Sequence, residues 1–499
     1  MKGVTRPQRL SGADAFMLGM ETPRAYMHTF KVAIIDPSTD AQGWSFDRFY
    51  AEAARRIHLL PMLRWKCVES PLGLNHPYWV EDPDFELHNH IHRVACPAPG
   101  DHKSLCAVMT TIYSAQLERD RPLWLMWVVE GLAEGKVALV MLVHHAYVDG
   151  VGAAWLMQQF YQPHRGVGAA EAPDYRPAPL PSWPTRLGWA VRDWPETVIG
   201  NVPKVATGLW RKFLFDRKRK SAGLPPHPSA RQMQRTPINV NLSAARTFVC
   251  DSVPLQHFSA VAKALGVTIN DVFSSCAAGA LRRLLVDLDY DPDTHPLIGA
   301  TPFAGERPLG MQGLGNYATV DYCWLRSDIA DPSARLQASR EANTQMKEHI
   351  KAVKEAGADF NSVMQVLPPW GIKIIRKAIH RSRGRFGFFG NVVLSNVPGP
   401  KETLYLDHWK VSNWFSTGQI ADGTALNITM WSYCGQANIC VLADRAVLDD
   451  GWRMFDYLVD ELNSLTAVES TKEAALTPTE SVRSICPSCY SSGPTGRCT

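Results

Sequence analysis

The pattern of hydrophobic and polar residues predicts mixed α/β structure in the first part of the chain. Residues 26–35 alternate between the two classes, as a half-buried strand does, and residues 137–143 are a continuous apolar strand. Ser45 precedes apolar residues at helical spacing up to Ile57, which predicts a capped helix there. A second helix is expected to begin shortly after Gly150.

The hydrophobic pattern of the second half of the chain also predicts mixed helices and strands. A helix is expected after Thr268, with Asp271 three residues later as its capping-box partner and therefore a structural residue. Residues 392–394 read as a strand that ends in a turn, and residues 425–433 and 437–442 read as a β-hairpin. Both halves therefore predict an α/β (α+β) fold class.

A proline-rich segment separates these halves. Residues 161–240 hold 12 of the 35 prolines, together with four tryptophans and a basic run at 211–220, so long regular elements are not expected there. We interpret the segment as a crossover linker with one or two short helices. The predicted domains are an N-terminal subdomain (1–160), this linker (161–240), a C-terminal subdomain (241–466) and a disordered tail (467–499).

Composition limits the functional classes. A net charge of +4, without a recognisable nucleic-acid motif, predicts no nucleic-acid partner. No apolar run reaches the ~18 residues of a membrane span, and the first 30 residues lack a secretory h-region. The eleven cysteines, mostly isolated, indicate reduced thiols in the cytoplasm. The tail cysteines Cys486, Cys489 and Cys498 fall short of a four-ligand zinc site, and their role stays open.

The strongest local signal is the segment 144–150, HHAYVDG, at the end of an apolar strand. A histidine at the end of a strand is held rigidly by that strand. Because the pKa of a histidine is ~6.5, its neutral imidazole can act as a general base. His144 and His145 should point to opposite faces, so we predict no metal site there. Two histidines satisfied by nearby carbonyl groups remain the alternative.

Asp149 could form a catalytic dyad with His145, but its position before a helix also suits a cap. We favour Asp149 as an organiser of the loop, with Gly150 marking a tight turn. A salt bridge to a distant arginine is a further possibility, and Arg307 is the candidate partner.

The motif resembles the HHxxxDG signature of the bacterial wax ester synthase/acyl-CoA:diacylglycerol acyltransferase family, within the chloramphenicol acetyltransferase-like superfamily. Further family-like segments follow in order: residues 10–14 with Glu21, residues 121–124 (RPLW), 268–272 (TINDV), 315–316 and 395–400 (SNVPGP). The resemblance covers about residues 8 to 465. It implies two chloramphenicol acetyltransferase-like α/β subdomains with the active site in a tunnel between them.

The resemblance also implies roles. His145 would be the general base and His144 a supporting core residue, while Asn270 would be a helix cap, a donor to the oxyanion, or both. Trp124 would pack in the core or line a substrate channel, and Glu21, otherwise an ordinary exposed carboxylate, would contribute to substrate binding.

The implied reaction is transfer of a fatty acyl group from acyl-CoA, a cosubstrate, to diacylglycerol or a long-chain fatty alcohol. It would proceed directly in a ternary complex without a further cofactor. The basic, tryptophan-rich crossover suits peripheral docking on the inner membrane or on lipid inclusions. Rival interpretations are an amine or another alcohol as acceptor, or a non-catalytic lipid-binding protein. Protein partners are not predicted.

Overall fold

The structure, a computed structural model, describes residues 8–168, 179–223, 226–303, 305, 315–356 and 360–476. Its strands are β1 (Gln8–Arg9), β2 (His28–Asp36), β3 (Trp65–Val68), β4 (Tyr78–Glu81), β5 (Ile91–Ala95), β6 (Trp124–Glu130), β7 (Val137–His144), β8 (Arg246–Pro254), β9 (Leu297–Phe303), β10 (Thr319–Leu325), β11 (Val392–Val397), β12 (Tyr405–Leu406), β13 (Trp409–Thr417), β14 (Leu426–Tyr433) and β15 (Gln436–Asp444).

The helices are α1 (Gly12–Met20), α2 (Phe46–Arg56), α3 (His102–Tyr113), α4 (Gly150–Phe160), α5 (Trp183–Val198), α6 (Val202–Ser221), α7 (Leu255–Leu265), α8 (Ile269–Asp287), α9 (Pro332–Ala356), α10 (Phe360–Gln365), α11 (Pro369–Arg381) and α12 (Gly451–Leu476). Three helix starts follow the capping signals in the sequence. The side chains of Ser45, Asp149 and Thr268 accept hydrogen bonds from the first turns of α2, α4 and α8, which confirms these predictions.

Two six-stranded sheets form the framework, and the mixed α/β fold class is confirmed. The first sheet has the order β12-β13-β2-β7-β6-β5, and the second has the order β10-β9-β11-β14-β15-β8. A small sheet of order β1-β4-β3 lies apart from both. The predicted hairpin is present as β14 and β15, paired from Leu426 opposite Ala443 to Tyr433 opposite Gln436.

The first sheet is completed by strands from the second half of the chain. β13 pairs antiparallel with β2, with Phe415 opposite Val32, and β12 extends the sheet beyond β13. Residues 405–417, within the range 241–466 predicted as the C-terminal subdomain, thus belong to the sheet formed by the strands of the N-terminal half. The strand predicted at 26–35 is present as β2. Because β2 is an interior strand and is buried almost throughout, the prediction that it is half-buried is wrong.

The crossover is more regular than its proline content predicts. It contains α5, of 16 residues, and α6, of 20 residues, so the expectation of short helices only is wrong. Pro184 and Pro203 lie in the first turns of these helices, where proline costs no hydrogen bond; Pro195 lies inside α5.

The C-terminal helix runs further than expected. The backbone of α12 continues to Leu476, so the predicted disordered tail is wrong for residues 467–476. The rest of that prediction, with the three tail cysteines, lies outside the described residues.

Within the described part of the chain, no single helix is both long and apolar enough to cross a membrane. The bent pair α7–α8 passes the same test of length and composition only when its two helices are taken together.

Candidate active site

His145 lies directly after β7 and lines a cavity of about 490 Å³ between the two large sheets. Its backbone N–H donates to the carbonyl of Met27 at 2.8 Å, which fixes the chain as it leaves the strand. The cavity walls combine side chains from both sheets, including Thr29 on β2, Ala300 on β9 and Thr429 on β14. The motif histidine is therefore placed between the two halves of the fold.

Asn316 fixes the tautomer of His145. The carboxylate of Asp14 accepts hydrogen bonds from the backbone N–H of Asn316 (2.7 Å) and from its side-chain Nδ2 (2.9 Å). The amide oxygen is thereby turned to His145, where it accepts the Nδ1–H at 2.7 Å. Because Nδ1 holds the proton of the neutral ring, Nε2 is the atom that can accept one.

Burial lowers the pKa of His145, and the positive charge of Lys31 lowers it further. The imidazole is therefore neutral at pH values where an exposed histidine is already protonated. Burial raises the pKa of Asp14 to about 6 despite its hydrogen bonds with Asn316 and Ser11.

The carboxylate of Asp149 joins the start of α4 to residues 317–318, beside the hydrogen-bonded series Asp14, Asn316 and His145. Its Oδ1 accepts from the backbone N–H of Gly152 at 2.9 Å, which caps α4. Its Oδ2 accepts from the backbone N–H groups of Tyr317 and Ala318, both at 2.8 Å. These contacts match the predicted loop organiser. Gly150 follows at the first position of α4 and lines the cavity.

His144 is fully buried on the other side of the motif, as the opposite-faces argument predicts. Its Nδ1 accepts from the backbone N–H of Ala146 at 3.0 Å, and its Nε2 lies 3.8 Å from the carboxylate of Glu21. Glu21 forms an ion pair with Arg119. It is therefore not the exposed carboxylate of the alternative interpretation, and it lines a different cavity, of about 310 Å³, together with Arg376.

Asn270 is half-buried in the first turn of α8 and does not line the His145 cavity. Its side-chain oxygen accepts from Asn396 at 3.3 Å, and Asn396 does line the cavity. This hydrogen bond connects Asn270 to the wall of the cavity. Asp271 forms the predicted capping box with Thr268, and its carboxylate also accepts from Asn343 at 2.8 Å.

Trp124 is buried in the core and also contributes to a pocket wall. Its indole N–H donates to the carbonyl of Leu63 at 2.6 Å, and the side chain is buried. It also lines a smaller apolar pocket of about 50 Å³ beside the main cavity. Arg307, the candidate salt-bridge partner of Asp149, lies outside the described residues.

Lys31 is the cavity residue that the sequence reading missed. With Val148 it lines both the main cavity and the apolar pocket, and its Nζ donates to the hydroxyl of Ser416 at 2.7 Å. Burial lowers the pKa of Lys31 to about 8. Lys31 is the one Asp, Glu, Lys or Arg residue in the segment 26–35, and this was the available signal, because an interior strand rarely carries a lysine that has no function.

Comparisons with known proteins agree with this geometry. Residues 10–273 match the family model of the wax ester synthase/diacylglycerol acyltransferase catalytic domain, and residues 314–466 match the model of its C-terminal domain. A Mycobacterium tuberculosis protein with the provisional name diacylglycerol O-acyltransferase is 45% identical over 452 residues, which cover 90% of this chain and 94% of the relative. Another protein of that organism with the same provisional name is 32% identical over 93% of this chain and 91% of its own length.

Solved structures share the fold. The wax ester synthase/diacylglycerol acyltransferase of Marinobacter aquaeolei VT8 aligns with a TM-score of 0.64 at 23% identity, over 93% of this chain and all of that one. A trichothecene 15-O-acetyltransferase from Fusarium sporotrichioides aligns with a TM-score of 0.60 at 13% identity, over 92% and 95% of the two chains. The two family models and the 45% identical relative show that the chain belongs to the wax ester synthase/diacylglycerol acyltransferase family of acyltransferases.

Proposed function

We propose that this protein is an acyl-CoA-dependent O-acyltransferase that transfers a fatty acyl group to diacylglycerol, to a long-chain fatty alcohol, or to both. Family membership and the names of the relatives support acyl transfer to an alcohol. The observation that carries the proposal is the position of His145, whose Nδ1 is held by Asn316 at the wall of a cavity between the sheets.

In the proposed mechanism, Nε2 of His145 removes the proton from the acceptor hydroxyl as its oxygen attacks the thioester carbonyl. The tetrahedral intermediate then collapses, the carbon–sulfur bond breaks, and coenzyme A leaves as a thiol that takes the proton back from the imidazolium. The transfer is direct, without an acyl-enzyme and without a cofactor beyond the acyl-CoA cosubstrate.

The negative charge that develops on the carbonyl oxygen must be stabilised by a hydrogen-bond donor or a cation. Lys31 supports this role because it is a half-buried cation at the junction of the main cavity and the apolar pocket. We assign Asn270 a positioning role through Asn396, in place of a direct contact with the oxyanion.

Replacing Lys31 with methionine is expected to lower kcat by about 100- to 1000-fold, as the loss of an oxyanion donor does. It should also raise the pKa of His145, because the lysine charge lowers that pKa. The base is active when neutral, so the acidic limb of the kcat/KM profile should move to higher pH. Lys31→Arg, which keeps the charge, should leave that limb in place; a methionine variant with an unshifted limb would contradict the assignment.

The apolar pocket supports a long acyl chain as the transferred group. It lies beside the main cavity and meets it at Lys31 and Val148. Three methionines, Met126, Met141 and Met157, are among its lining side chains. Methionine side chains are flexible and shift to fill or open space, so a pocket of about 50 Å³ can widen when a chain enters.

The direct test is thiol release from palmitoyl-CoA by the purified protein with dioleoylglycerol, hexadecanol or hexadecylamine as acceptor. We expect release with at least one of the two alcohols and little with the amine, and a lower kcat/KM for butyryl-CoA than for palmitoyl-CoA because the short chain leaves the apolar pocket empty. Preference for the amine would favour the condensation-type reaction. Absence of transfer to all three would leave a lipid-binding protein and refute the proposal.

We further propose that the protein docks peripherally on the cytoplasmic face of the inner membrane or on lipid inclusions. The support is a set of exposed large apolar side chains on α5 and α6, next to the basic run at 211–220. These side chains are Trp183, Val191, Trp194, Leu209, Trp210, Phe213 and Leu214. Exposed aromatic residues beside cations suit the interface of an anionic lipid surface.

Reversing the charges of Arg217, Lys218 and Lys220 to glutamate is expected to weaken binding to phosphatidylglycerol-containing vesicles by about 100-fold, since each cation near such a surface contributes ~1 kcal/mol. Flotation of wild type and variant at low and high salt measures the effect. Leu72→Ala, at a residue 79% exposed and distant in sequence, is the matched control. Equal flotation of the charge-reversed and wild-type proteins would refute this surface.

A further inference from the structure

A cluster of thiols and one imidazole lies where helix α3 packs against the second sheet, apart from the proposed catalytic residues. His102 and Cys106 are one turn apart on α3 and so share a face of the helix. Cys250 on β8 faces them, and the three ligand atoms lie within 4.8 Å of one another. Cys440 on β15 stands directly opposite Cys250 in the strand register.

We propose that His102, Cys106 and Cys250, with Cys440 as the fourth ligand, form a binding site for a thiophilic metal ion such as Zn²⁺. The ion would join the helix of the N-terminal half to two strands of the C-terminal half. Three thiolates and one imidazole are a donor set that zinc takes in structural sites.

The distances suit such an ion. With Zn–S bonds of ~2.3 Å and Zn–N bonds of ~2.0 Å, ligand atoms in a tetrahedral site lie about 3.5–3.8 Å apart. The Nε2 of His102 lies 3.8 Å from the Sγ of Cys250. Nε2 of His102 also contacts the backbone carbonyl oxygen of Cys250 at 2.5 Å, and Sγ of Cys106 contacts the same oxygen at 3.8 Å, so the His102 and Cys106 side chains meet beside Cys250.

Access and burial are consistent with a site that holds its ion. Cys106, Cys250 and Cys440 are buried, with exposures of 2%, 0% and 0%, whereas His102 is half-buried. His102 lines a surface cavity of about 320 Å³ together with Asp101 and Asp251, which gives a cation an acidic path to the thiols.

A second cluster, His227, Asp321 and His349, has a different geometry. The two imidazole rings stack with their centroids 3.7 Å apart and their planes at 18°. Their nitrogens point side by side, each at its own oxygen of Asp321, at 2.9 and 2.8 Å. This arrangement is a hydrogen-bonded contact between a loop, β10 and α9 in which Asp321 already accepts from both imidazoles.

The test is titration of the full-length, chelator-treated protein with Co²⁺, followed by competition with Zn²⁺. We expect one equivalent of Co²⁺ to give a thiolate-to-cobalt charge-transfer band together with the intense visible bands of a tetrahedral ion, and Zn²⁺ to abolish both. Cys250→Ser and Cys106→Ser should lose the bands, and Cys440→Ser should weaken the charge-transfer band. Zn²⁺ should raise the Tm of the wild type by several degrees.

Two controls separate this site from other thiols. Cys323→Ser, a buried cysteine in another part of the second sheet, should keep the bands. A variant with Cys486, Cys489 and Cys498 changed to serine should also keep the cobalt bands. If that variant lost the bands, the tail cysteines would be the metal ligands in place of the proposed site. His102→Ala removes a half-buried ligand without disturbing the core, so a folded His102→Ala protein with unchanged cobalt bands, or a wild type without them, would overturn the proposal.

Discussion

Replacing His145 with alanine is expected to lower kcat for acyl transfer by at least about 100-fold, the lower end of what a general base contributes. The variant loses the one imidazole whose Nδ1 is held by Asn316 and whose Nε2 can accept the proton of the acceptor hydroxyl. Initial rates of coenzyme A release at saturating acceptor, measured on protein with a wild-type circular dichroism spectrum, give the effect directly.

Two histidine variants serve as controls for that result. His88→Ala removes an exposed imidazole and should keep full activity. His144→Ala removes a fully buried ring and should act through stability, because it leaves a cavity in the core behind the motif. A folded, fully active His145→Ala protein beside an inactive His144→Ala protein would reverse the assignment of the two histidines.

Replacing Asp149 with alanine is expected to cost about 3–5 kcal/mol of the free energy of unfolding. The carboxylate accepts three backbone hydrogen bonds, from Gly152, Tyr317 and Ala318, and it is only 2% exposed. Hydrogen bonds to a charged group contribute about 1.5–3 kcal/mol each, and part of that loss is recovered where water reaches the freed N–H groups. Urea denaturation of wild type and variant measures the difference.

Asp101 offers a matched control, since it caps α3 through Ser104 (2.8 Å) as Asp149 caps α4, but at the surface. Asp101→Ala should cost only about 1 kcal/mol, the usual value for a helix cap. If Asp149→Ala were no less stable than Asp101→Ala but inactive, Asp149 would be a proton carrier and not the organiser of the loop.

The local structure could be predicted from the sequence where a short-range rule decides it. Ser45, Asp149 and Thr268 cap the helices they precede, because a cap depends on only three or four neighbouring residues. The lengths of α5 and α6 could not be predicted from such a short-range rule. Their proline content suggests loops, and only the positions of Pro184 and Pro203 in first turns make it compatible with helix.

The candidate site was predictable in part for the same reason. His144, His145 and Asp149 lie within six residues of one another, so strand alternation predicts that the two histidines point to opposite faces, and the cap rule predicts the contact of Asp149 with α4. The hydrogen bonds from Asp14 to Asn316 to His145 join segments 302 and 171 residues apart. No periodicity in the sequence encodes such contacts, since they depend on how the two halves of the chain meet.

The pairing of β13 with β2 has a consequence for the order in which the protein matures on the ribosome. β7, which leads into His145, pairs with β2, and the other edge of β2 stays open until residues 409–417 have been synthesised. More than four-fifths of the chain must therefore leave the exit tunnel before the catalytic sheet can close. Until then the nascent chain presents a long apolar strand edge, which is the kind of surface that chaperones cover and that invites pairing with a neighbouring chain.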